Sequence, residues 1–522
     1  MRKFIYVAIL ASVIIVIMSC TSVEKRVKQA ATTNYENSIV YNINNFPKDL
    51  VMADSYDLRE KDLLSNLFDG LVSIDEDGNI VPDLAEKWSV NKDKTQYTFT
   101  IRKNAKWSDG KDITAKDFVD FFSNILNKNL NNVYADQLNC IFGIDKYRNN
   151  NGSFENVAIK ALNQRTLQIR LNYSCDYFLN IMAEPVYSLR KIDDDLLNWR
   201  RKYKNIPYSG SFVIDNISDN GDIELNKNKN YWNKDNVKNN NVIIKEFGSS
   251  EGALAAFENN TINVFTNPPI NEIKNIENIS IVPTYGEEAL IFNRKKGDIL
   301  DNNYFRKAIS MSIDKKNIVQ NILQNRVDAA SMYIPYSGTV EYKDLFPKEE
   351  EAKEFMEKSK YEYNGIPLKI IYINTVENKK ICDSIAKNIE DTFNIDVKAI
   401  GYTENEFEEK IKSDDYDIAE LNYMGNYYHP IELLGMFQSN SKLNFGGYSN
   451  REFDTKILEA TFEKDSSERL KELKDAQDIL INDTAVIPLY YNNTILCSKS
   501  YVKGVYVNKL GNVKLDKAYL TK

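Results

Sequence analysis

The sequence predicts an α/β protein built from two or three lobes, and three observations support this prediction. The chain has 522 residues, more than a single hydrophobic core normally organises. Residues 97–102 alternate apolar and polar side chains, as a half-buried strand does. Residues 118–126 repeat apolar side chains at helical spacing. Strand and helix patterns of both kinds are mixed throughout, which favours an α/β or α+β chain.

Turns and a helix cap bound the first of these elements. The segment 75–79 reads Asp-Glu-Asp-Gly-Asn, a turn before the strand, and Trp107-Ser108-Asp109-Gly110 is the turn after it. Thr114 is expected to cap the following helix, with Asp117 near the positive end of its dipole. The inward face of that helix is Phe118, Phe121, Phe122, Ile125 and Leu126. We expect this region to be scaffold.

Three later segments are also patterned. Asp314 is expected to cap a helix whose inward residues are Ile318, Val319, Ile322 and Leu323. Residues 453–480 predict a long amphipathic helix or a pair of helices. Residues 485–491 predict a short apolar strand with Pro488 near its middle. A proline there favours an edge, a bulge or a crossover between lobes.

The N-terminal segment has the pattern of an export signal. Arg2 and Lys3 precede an uncharged run, residues 4–18, which is short for a membrane span. Ile17-Met18-Ser19-Cys20 resembles a bacterial lipobox, so Cys20 is expected to carry lipid and become the mature N-terminus. Residues 1–20 are then a lipoprotein signal peptide, and 21–36 a flexible tether. A plain signal peptide or a short membrane anchor are the alternatives.

Composition excludes several classes of function. The net charge of −8 and the pI of about 5.3 do not suit a nucleic-acid binder. One histidine, His429, argues against most metal sites and acid–base enzymes, and no cofactor or metal is expected. The chain has no phosphate-binding loop, so ATP hydrolysis would fall to a partner, and no nucleophile elbow or zinc-protease helix. The many carboxylates leave a glycosidase pair as an alternative. A monomer is expected.

Cysteines and tyrosines leave two questions open. Cys140, Cys175, Cys382 and Cys497 match no zinc spacing, and we expect buried, unpaired thiols, although pairing remains an alternative. The 32 tyrosines suit a polar cleft that stacks on a ligand, or they reflect codon bias.

Ordered sequence blocks along the chain resemble the family-5 extracellular solute-binding proteins, the group of oligopeptide, dipeptide and nickel binders. The most specific blocks are Ala105-Lys106-Trp107-Ser108-Asp109-Gly110 and Thr114-Ala115-Lys116-Asp117-Phe118. Others are Leu67-Phe68-Asp69-Gly70-Leu71, Pro82-Asp83-Leu84-Ala85-Glu86-Lys87-Trp88, Tyr208-Ser209-Gly210-Ser211-Phe212, Asn230-Tyr231-Trp232, Phe305-Arg306-Lys307-Ala308 and Val486-Ile487-Pro488-Leu489-Tyr490. The resemblance covers nearly the whole chain after the export signal.

This resemblance implies a two-lobed, periplasmic-binding-protein-like (Venus flytrap) α/β fold with an extra subdomain in the first lobe. The first lobe would comprise residues 37–283, including the subdomain at about 60–184, and the C-terminal return 489–522. The second lobe would be residues 284–488, with hinge crossings near 282–288 and 487–491. The implied function is the extracytoplasmic substrate-binding component of an ABC importer, which delivers peptides to permease and ATPase subunits.

The resemblance also implies ligand-binding residues. Family peptide binders carry a Trp-x-x-Asp-Tyr-x-x-Pro segment whose Asp pairs with the ligand's ammonium. Residues 423–430 correspond to it, with Tyr423 for the Trp and Asn426 for the Asp, and with Gly425 and Tyr427 between them. Ligand-contacting arginines of some relatives correspond to Ile411 and Glu420. Tyr134 matches a cleft tyrosine, and residues from Tyr56 to Leu58 lie near the strand that pairs with ligand backbone. Each could instead be merely structural.

Alternatives to peptide import remain. A sugar, an opine or a metal chelate could occupy the same cleft, and the protein could be a peptide-sensing surface lipoprotein or a surface hydrolase. Because Asn426 lacks the charge of an aspartate, we expect that a free amino terminus is not read there, unless Glu420 supplies the charge.

Overall fold

The computed structural model describes residues 38–55, 57–149, 152–276, 278–335 and 346–521. The predicted signal peptide, the lipid attachment at Cys20, the tether and Tyr56 lie outside these residues. Within the described ranges, every helix is too short or too polar to cross a membrane.

The chain alternates strands and helices from end to end. The strands are β1 Ile39–Ile43, β2 Val72–Ile74, β3 Ile80–Pro82, β4 Ala85–Val90, β5 Gln96–Ile101, β6 Ile159–Asn163, β7 Thr166–Arg170, β8 Phe212–Ile217, β9 Ile223–Lys227, β10 Asn241–Glu246, β11 Val264–Thr266, β12 Ile279–Phe292, β13 Asp328–Ala329, β14 Leu368–Ile373, β15 Val397–Tyr402, β16 Ile418–Met424, β17 Val486–Ser498, β18 Val502–Lys503, β19 Tyr506–Val507, β20 Val513–Lys514 and β21 Tyr519–Leu520. The α-helices are α1 Leu58–Leu67, α2 Ala115–Ile125, α3 Ile144–Arg148, α4 Phe178–Met182, α5 Asp194–Leu197, α6 Trp199–Lys202, α7 Ser250–Glu258, α8 Asn303–Ser312, α9 Glu349–Ser359, α10 Val376–Phe393, α11 Glu404–Lys412, α12 Pro430–Gly435, α13 Arg451–Phe462 and α14 Ser466–Asn482.

An 11-stranded mixed sheet organises the molecule, in the order β15-β14-β16-β12-β17-β11-β1-β10-β9-β8, with β13 beside β17. The two long central strands, β12 and β17, pair antiparallel; β12 also pairs with β16, and β17 with β11. The strands β1 and β8–β11 lie on one side of the sheet, and we call them, with the segments attached to them, the first half. The residues between β12 and β17 in the chain form the second half, which carries β14–β16. The polypeptide therefore passes between the halves only along β12 and β17.

The pairing of β12 with β17 is irregular where the strands pass between the halves. The register shifts between Pro283 and Glu287, and again opposite Pro488, which pairs with Ala289. Pro488 therefore lies at a bulge in a crossing strand, as the sequence predicts. The strand itself has 13 residues and is not short, because its continuation to Ser498 pairs with β11 in the first half.

A separate four-stranded antiparallel sheet, β4-β5-β7-β6, packs with α2 inside the first half. The strand predicted at 97–101 is confirmed as β5, with alternating burial. Thr114 and Asp117 form the predicted capping box at the start of α2. The five predicted apolar residues of that helix are buried, and each fully buried phenylalanine contributes about 2–3 kcal/mol through the removal of apolar area from water.

Two expected helices differ in detail. Asp314 does accept a hydrogen bond from the Asn317 backbone N–H at 2.8 Å, but the turn that follows is a π-helix, Asn317–Ile322. The segment 453–480 is a pair of helices, α13 and α14, because Asp465 accepts hydrogen bonds from two backbone N–H groups and starts a new helix. Cys140, Cys175, Cys382 and Cys497 are buried free thiols.

Candidate functional site

The helix α1 of the first half holds a charged side chain that reaches the second half. Asp57 caps this helix through the Arg59 and Glu60 N–H groups. Arg59 and Asp62 form a buried ion pair of 2.9 Å, and the Asp62 carboxylate also accepts from the Tyr41 hydroxyl at 2.6 Å. Charge pairing and hydrogen bonds satisfy these buried groups and fix the helix against the strand β1.

Lys61, between the two ion-paired residues, extends from this fixed helix across to the second half. Its Nζ lies 3.4 Å from the Asn426 Oδ1 atom and 5.0 Å from the centre of the Tyr134 ring. Burial lowers the pKa of Lys61, and the nearby carboxylates of Glu184 and Glu432 oppose that shift. The lysine is thus one cation placed between two buried acidic side chains.

Asn426 is held by charged groups on both sides of its amide. Its backbone N–H and its Nδ2 donate to the Glu432 Oε1 atom at 3.2 and 2.8 Å. Its Oδ1 faces Lys61. This orientation follows from chemistry, because an ammonium group has no acceptor and a carboxylate has no donor. The acceptor that an aspartate would offer to a ligand is therefore directed at Lys61.

Glu184 and Glu432 provide two carboxyl groups for the single cation. Glu184 is 2% exposed, and its Oε1 atom has no hydrogen-bond partner among the described residues. Burial, and then the charge of Glu432, raise the pKa of Glu184 against the effect of Lys61. Burial also raises the pKa of Glu432 against its hydrogen bonds with Asn426. This acidic excess between the halves could accept a further positive or hydrogen-donating group.

Aromatic rings form the next layer of the contact between the halves. Tyr177 of the first half stacks on Tyr427 of the second, with ring centres 5.9 Å apart, and on His429 at 4.6 Å. The Asn180 Nδ2 atom donates to the Tyr428 carbonyl at 3.2 Å. Burial lowers the pKa of His429 to about 4, with Asp176 opposing the shift.

Arg469 makes a second polar contact between the halves. It projects from α14 and is 0% exposed. Its Nε donates to the Ala460 carbonyl of its own half, and its Nη2 to the Ser174 carbonyl of the first half, both at 2.9 Å. Its Nη1 forms an ion pair with Asp176.

The structure brings together four of the residues expected to bind ligand. Asn426 and Tyr427 lie in the contact between the halves, and Tyr134 lies beneath Lys61. Gly425 donates its N–H to the Tyr285 carbonyl at 2.8 Å, and a Cβ there would lie 2.5 Å from the Tyr285 ring. That close approach explains the glycine.

Three other expected residues lie elsewhere. Tyr423 is buried against Tyr333 and Phe437. Glu420 is on β16, and its carboxylate accepts from Asn378 at 3.1 Å and does not join the Asn426 cluster. It faces Glu288, which raises the pKa of Glu420 after burial does.

Leu58 is not itself part of a strand. It is the first residue of the helix α1, and its side chain lies near Gly511, where an added Cβ would approach Leu58 Cδ2 at 2.8 Å. Asp57 caps a helix here, and the expectation that residues from Tyr56 to Leu58 lie near the strand that pairs with ligand backbone stays a prediction.

Sequence reasoning missed Lys61, Glu184 and Glu432. A signal for Glu432 was present, since it is the one charged residue in the run Pro430-Ile431-Glu432-Leu433-Leu434. A carboxylate in such a run is costly unless it has partners. Lys61 and Glu184 carry no comparable local signal. In the described part of the chain, no three His, Cys, Asp or Glu side chains are grouped to hold a metal ion.

A family model for bacterial extracellular solute-binding proteins, family 5, matches residues 79–445. The chain belongs to this family. Its curated relatives include the dipeptide-binding protein DppE of Bacillus subtilis (strain 168), 28% identical over 519 residues, with 96% of this chain and 95% of the relative covered. The oligopeptide-binding protein OppA of the same organism is 29% identical over 484 residues, covering 88% of each chain.

Solved structures of similar proteins establish the fold of this family-5 chain. An oligopeptide ABC transporter periplasmic binding protein, OppAIV of Borrelia burgdorferi, superimposes with a TM-score of 0.80 at 24% identity. The match covers 93% of this chain and 100% of that one. The two-lobed, periplasmic-binding-protein-like α/β fold expected from the sequence is confirmed.

Proposed function

We propose that this family-5 protein captures peptides outside the cytoplasm, between two closing lobes, and delivers them to the permease of an ABC importer. The observation that carries the proposal is the polar contact between the halves, where Lys61 of one meets Asn426 and Glu432 of the other. The printed names of the relatives, which include dipeptide- and oligopeptide-binding proteins, support the ligand class. The proposed role is binding, without turnover of the ligand.

The irregular pairing of β12 with β17 supports a hinge at the crossing strands. We place the first lobe at residues 37–283 and 489–522, with the extra subdomain at about 60–184, and the second lobe at 284–488. The register shifts at Pro283–Glu287 and opposite Pro488 lie at these boundaries. Bulges interrupt the ladder, so rotation there breaks few hydrogen bonds.

The amide of Asn426 supports a particular mode of peptide recognition. Its oxygen faces Lys61 and its nitrogen faces Glu432, so neither is directed at a ligand. We therefore propose that a free peptide amino terminus is not read at Asn426, and that peptides are held largely through backbone hydrogen bonds. Blocked or longer peptides then bind as well as short free ones.

The sequence pattern at residues 1–20 supports attachment to the membrane through lipid on Cys20, with residues 21–36 as a tether. The protein then works as a monomer at the outer face of the cell membrane, beside the permease and ATPase subunits of the importer.

Calorimetric titration with defined peptides of two to eight residues tests the binding role. We expect saturable binding of at least some of them, with no binding of mono- or disaccharides used as matched neutral ligands. Thermal stability should rise by RT ln(1 + [L]/Kd), about 2.7 kcal/mol at a hundredfold excess over Kd. Saturable binding of a sugar but of no peptide would reject the proposal, and so would hydrolysis of the bound peptide.

A further inference from the structure

Glu287 is a fully buried carboxyl group without a hydrogen-bond partner. It lies on β12, just after the register shift, and is 0% exposed. Neither of its carboxylate oxygens accepts a hydrogen bond within the described part of the chain. Buried polar groups in folded proteins are almost always hydrogen-bonded, so a carboxyl with two open oxygens requires an explanation.

The next residue on the strand provides a contrast. Successive side chains of a strand point to opposite faces, so Glu288 points away from Glu287. Glu288 is also buried, but it accepts a hydrogen bond from the Asn422 Nδ2 atom at 2.8 Å. Glu288 thus has a hydrogen-bond donor at its carboxylate, whereas Glu287 has none among the described residues.

Two buried phenol groups close to Glu287 also lack hydrogen-bond partners within the described ranges. The hydroxyls of Tyr285 and Tyr333 have no hydrogen-bond partner among the described residues. Burial is the main cause that raises the pKa values of both phenols, and neighbouring groups that include Glu287 raise them further. The Tyr333 ring packs edge-on against Tyr423 at 5.9 Å, and Tyr423 lies opposite Glu287 in the strand register. One carboxyl and two phenols thus form an aromatic-walled polar group.

This group adjoins the contact between the lobes. Tyr285 accepts the Gly425 N–H at 2.8 Å, one residue before Asn426, and its ring lies 4.7 Å from that of Tyr428. Glu432, which binds Asn426, also acts electrostatically on Tyr285 and Tyr333. A ligand lying between the lobes at Asn426 is therefore one residue position from this group.

Burial raises the pKa of Glu287, and a cation bound beside its carboxyl group favours the charged form. The lysine whose charge acts on Glu287 is Lys315, whose Nζ donates to the Ala330 carbonyl at 2.8 Å. Carboxylate oxygens and phenol oxygens accept hydrogen bonds from ammonium and guanidinium groups, and the faces of tyrosine rings attract cations.

We propose that Glu287, Tyr285 and Tyr333 form a subsite that receives the cationic side chain of a lysine or arginine in the bound peptide. The proposal deepens the proposed peptide-binding function and rests on it. The ammonium or guanidinium group donates to the two open Glu287 oxygens, and the phenol oxygens accept further N–H groups. The protein then selects peptides by one charged side chain, whereas backbone contacts elsewhere accept any sequence.

A peptide series measures this selectivity. Blocked pentapeptides of alanine, each with one position changed to lysine, arginine, norleucine, glutamine or glutamate, are titrated calorimetrically against the purified protein. At one position, lysine and arginine should bind about tenfold or more tighter than norleucine, which has the length of lysine without its charge. Glutamate at that position should bind weakest.

Two variants and a matched control assign the selectivity to the subsite. Glu287→Gln should bring the lysine-to-norleucine ratio close to one, while Glu288→Gln on the opposite face should leave it unchanged. Tyr333→Phe keeps the aromatic wall and should reduce the ratio several-fold. Circular dichroism and binding of the all-alanine peptide verify folding, so Tyr333→Phe still decides the matter if Glu287→Gln is unstable.

The possible failures are distinct. If no peptide of the series binds, the proposed peptide function fails, and the subsite with it. If peptides bind but no position prefers a cation, or if Glu287→Gln retains the preference, only the subsite is refuted, and Glu287 is then a buried structural carboxyl.

Discussion

Replacing Asp176 with asparagine tests whether the contact of Arg469 with the first lobe stabilises the closed arrangement. Arg469 is anchored in its own lobe by the Ala460 and Glu463 carbonyls. In the first half it donates to the Ser174 carbonyl, pairs with the Asp176 carboxylate and lies over the Tyr177 ring. Asp176→Asn therefore weakens the contact between the lobes and leaves the anchor of the arginine intact.

The size of the effect follows from the burial of the pair. Arg469 is 0% exposed, while the Asp176 side chain is 22% exposed. Removing one partner of a fully buried ion pair costs about 3–5 kcal/mol, and the partial exposure of Asp176 reduces this to about 2 kcal/mol. A loss of about 2 kcal/mol changes the ratio of closed to open molecules about 30-fold. If the free protein is mostly open, the apparent Kd for ligand rises by the same factor.

Calorimetry on the wild type and Asp176→Asn with one bound peptide measures this factor directly. Asp120→Asn is the matched control, because Asp120 forms an exposed ion pair of 2.6 Å with Lys116 within one helix. We expect the control to change Kd less than about twofold, in line with the small free energy of exposed pairs. An Asp176→Asn protein with unchanged Kd would refute the reasoning. Loss of stability without any change in the ligand-bound fraction would also contradict it.

Three further outcomes are expected. A bound peptide and its N-acetylated form should have nearly equal affinities for the wild-type protein, and Asn426→Asp should introduce a preference for the free amine. A loss of affinity of about tenfold or more on acetylation would count against this, unless Glu420→Gln removed the same discrimination. The buried His429, with a pKa of about 4 against 6.5 when unfolded, contributes stability that is complete above pH 6.5 and is lost as the pH falls toward 4. Urea unfolding therefore gives a difference in the free energy of unfolding between the wild type and His429→Gln that is smaller at pH 4 than at pH 7.5. Given the partial exposure of the ring, we expect this difference to fall by about 2 kcal/mol. Equal differences at both pH values would exclude the burial argument. Finally, Cys20→Ser should release the protein from the membrane fraction or leave it unprocessed, whereas unchanged retention and mobility on a gel would reject the lipid anchor.

Local patterns in the sequence predict the scaffold well. Thr114 and Asp117 form their capping box because both partners lie within one helical turn. The strand at 97–101 and the bulge at Pro488 follow from side-chain alternation and from the missing N–H of proline. Such features depend on neighbours in the chain, so a single sequence contains the information that determines them.

The candidate site depends on contacts between residues far apart in the chain. Lys61 meets Asn426 over a separation of 365 residues, and no local pattern specifies that meeting. The resemblance to family-5 proteins identified Asn426 as a candidate, but not the side chains that form hydrogen bonds with its amide. It also pointed to Leu58, but not to the helix that the Asp57 cap and the Arg59–Asp62 ion pair stabilise there. The open oxygens of Glu287 are likewise visible only once three strands are brought together.

Native mass spectrometry of the protein as purified from its own host, followed by denaturation and sequencing of whatever is released, tests the central claim most directly. The account predicts a mass excess on the folded protein that resolves, after release, into peptides, with lysine or arginine recurring at one position. Release of a sugar, an opine or a metal chelate in place of peptides would contradict it.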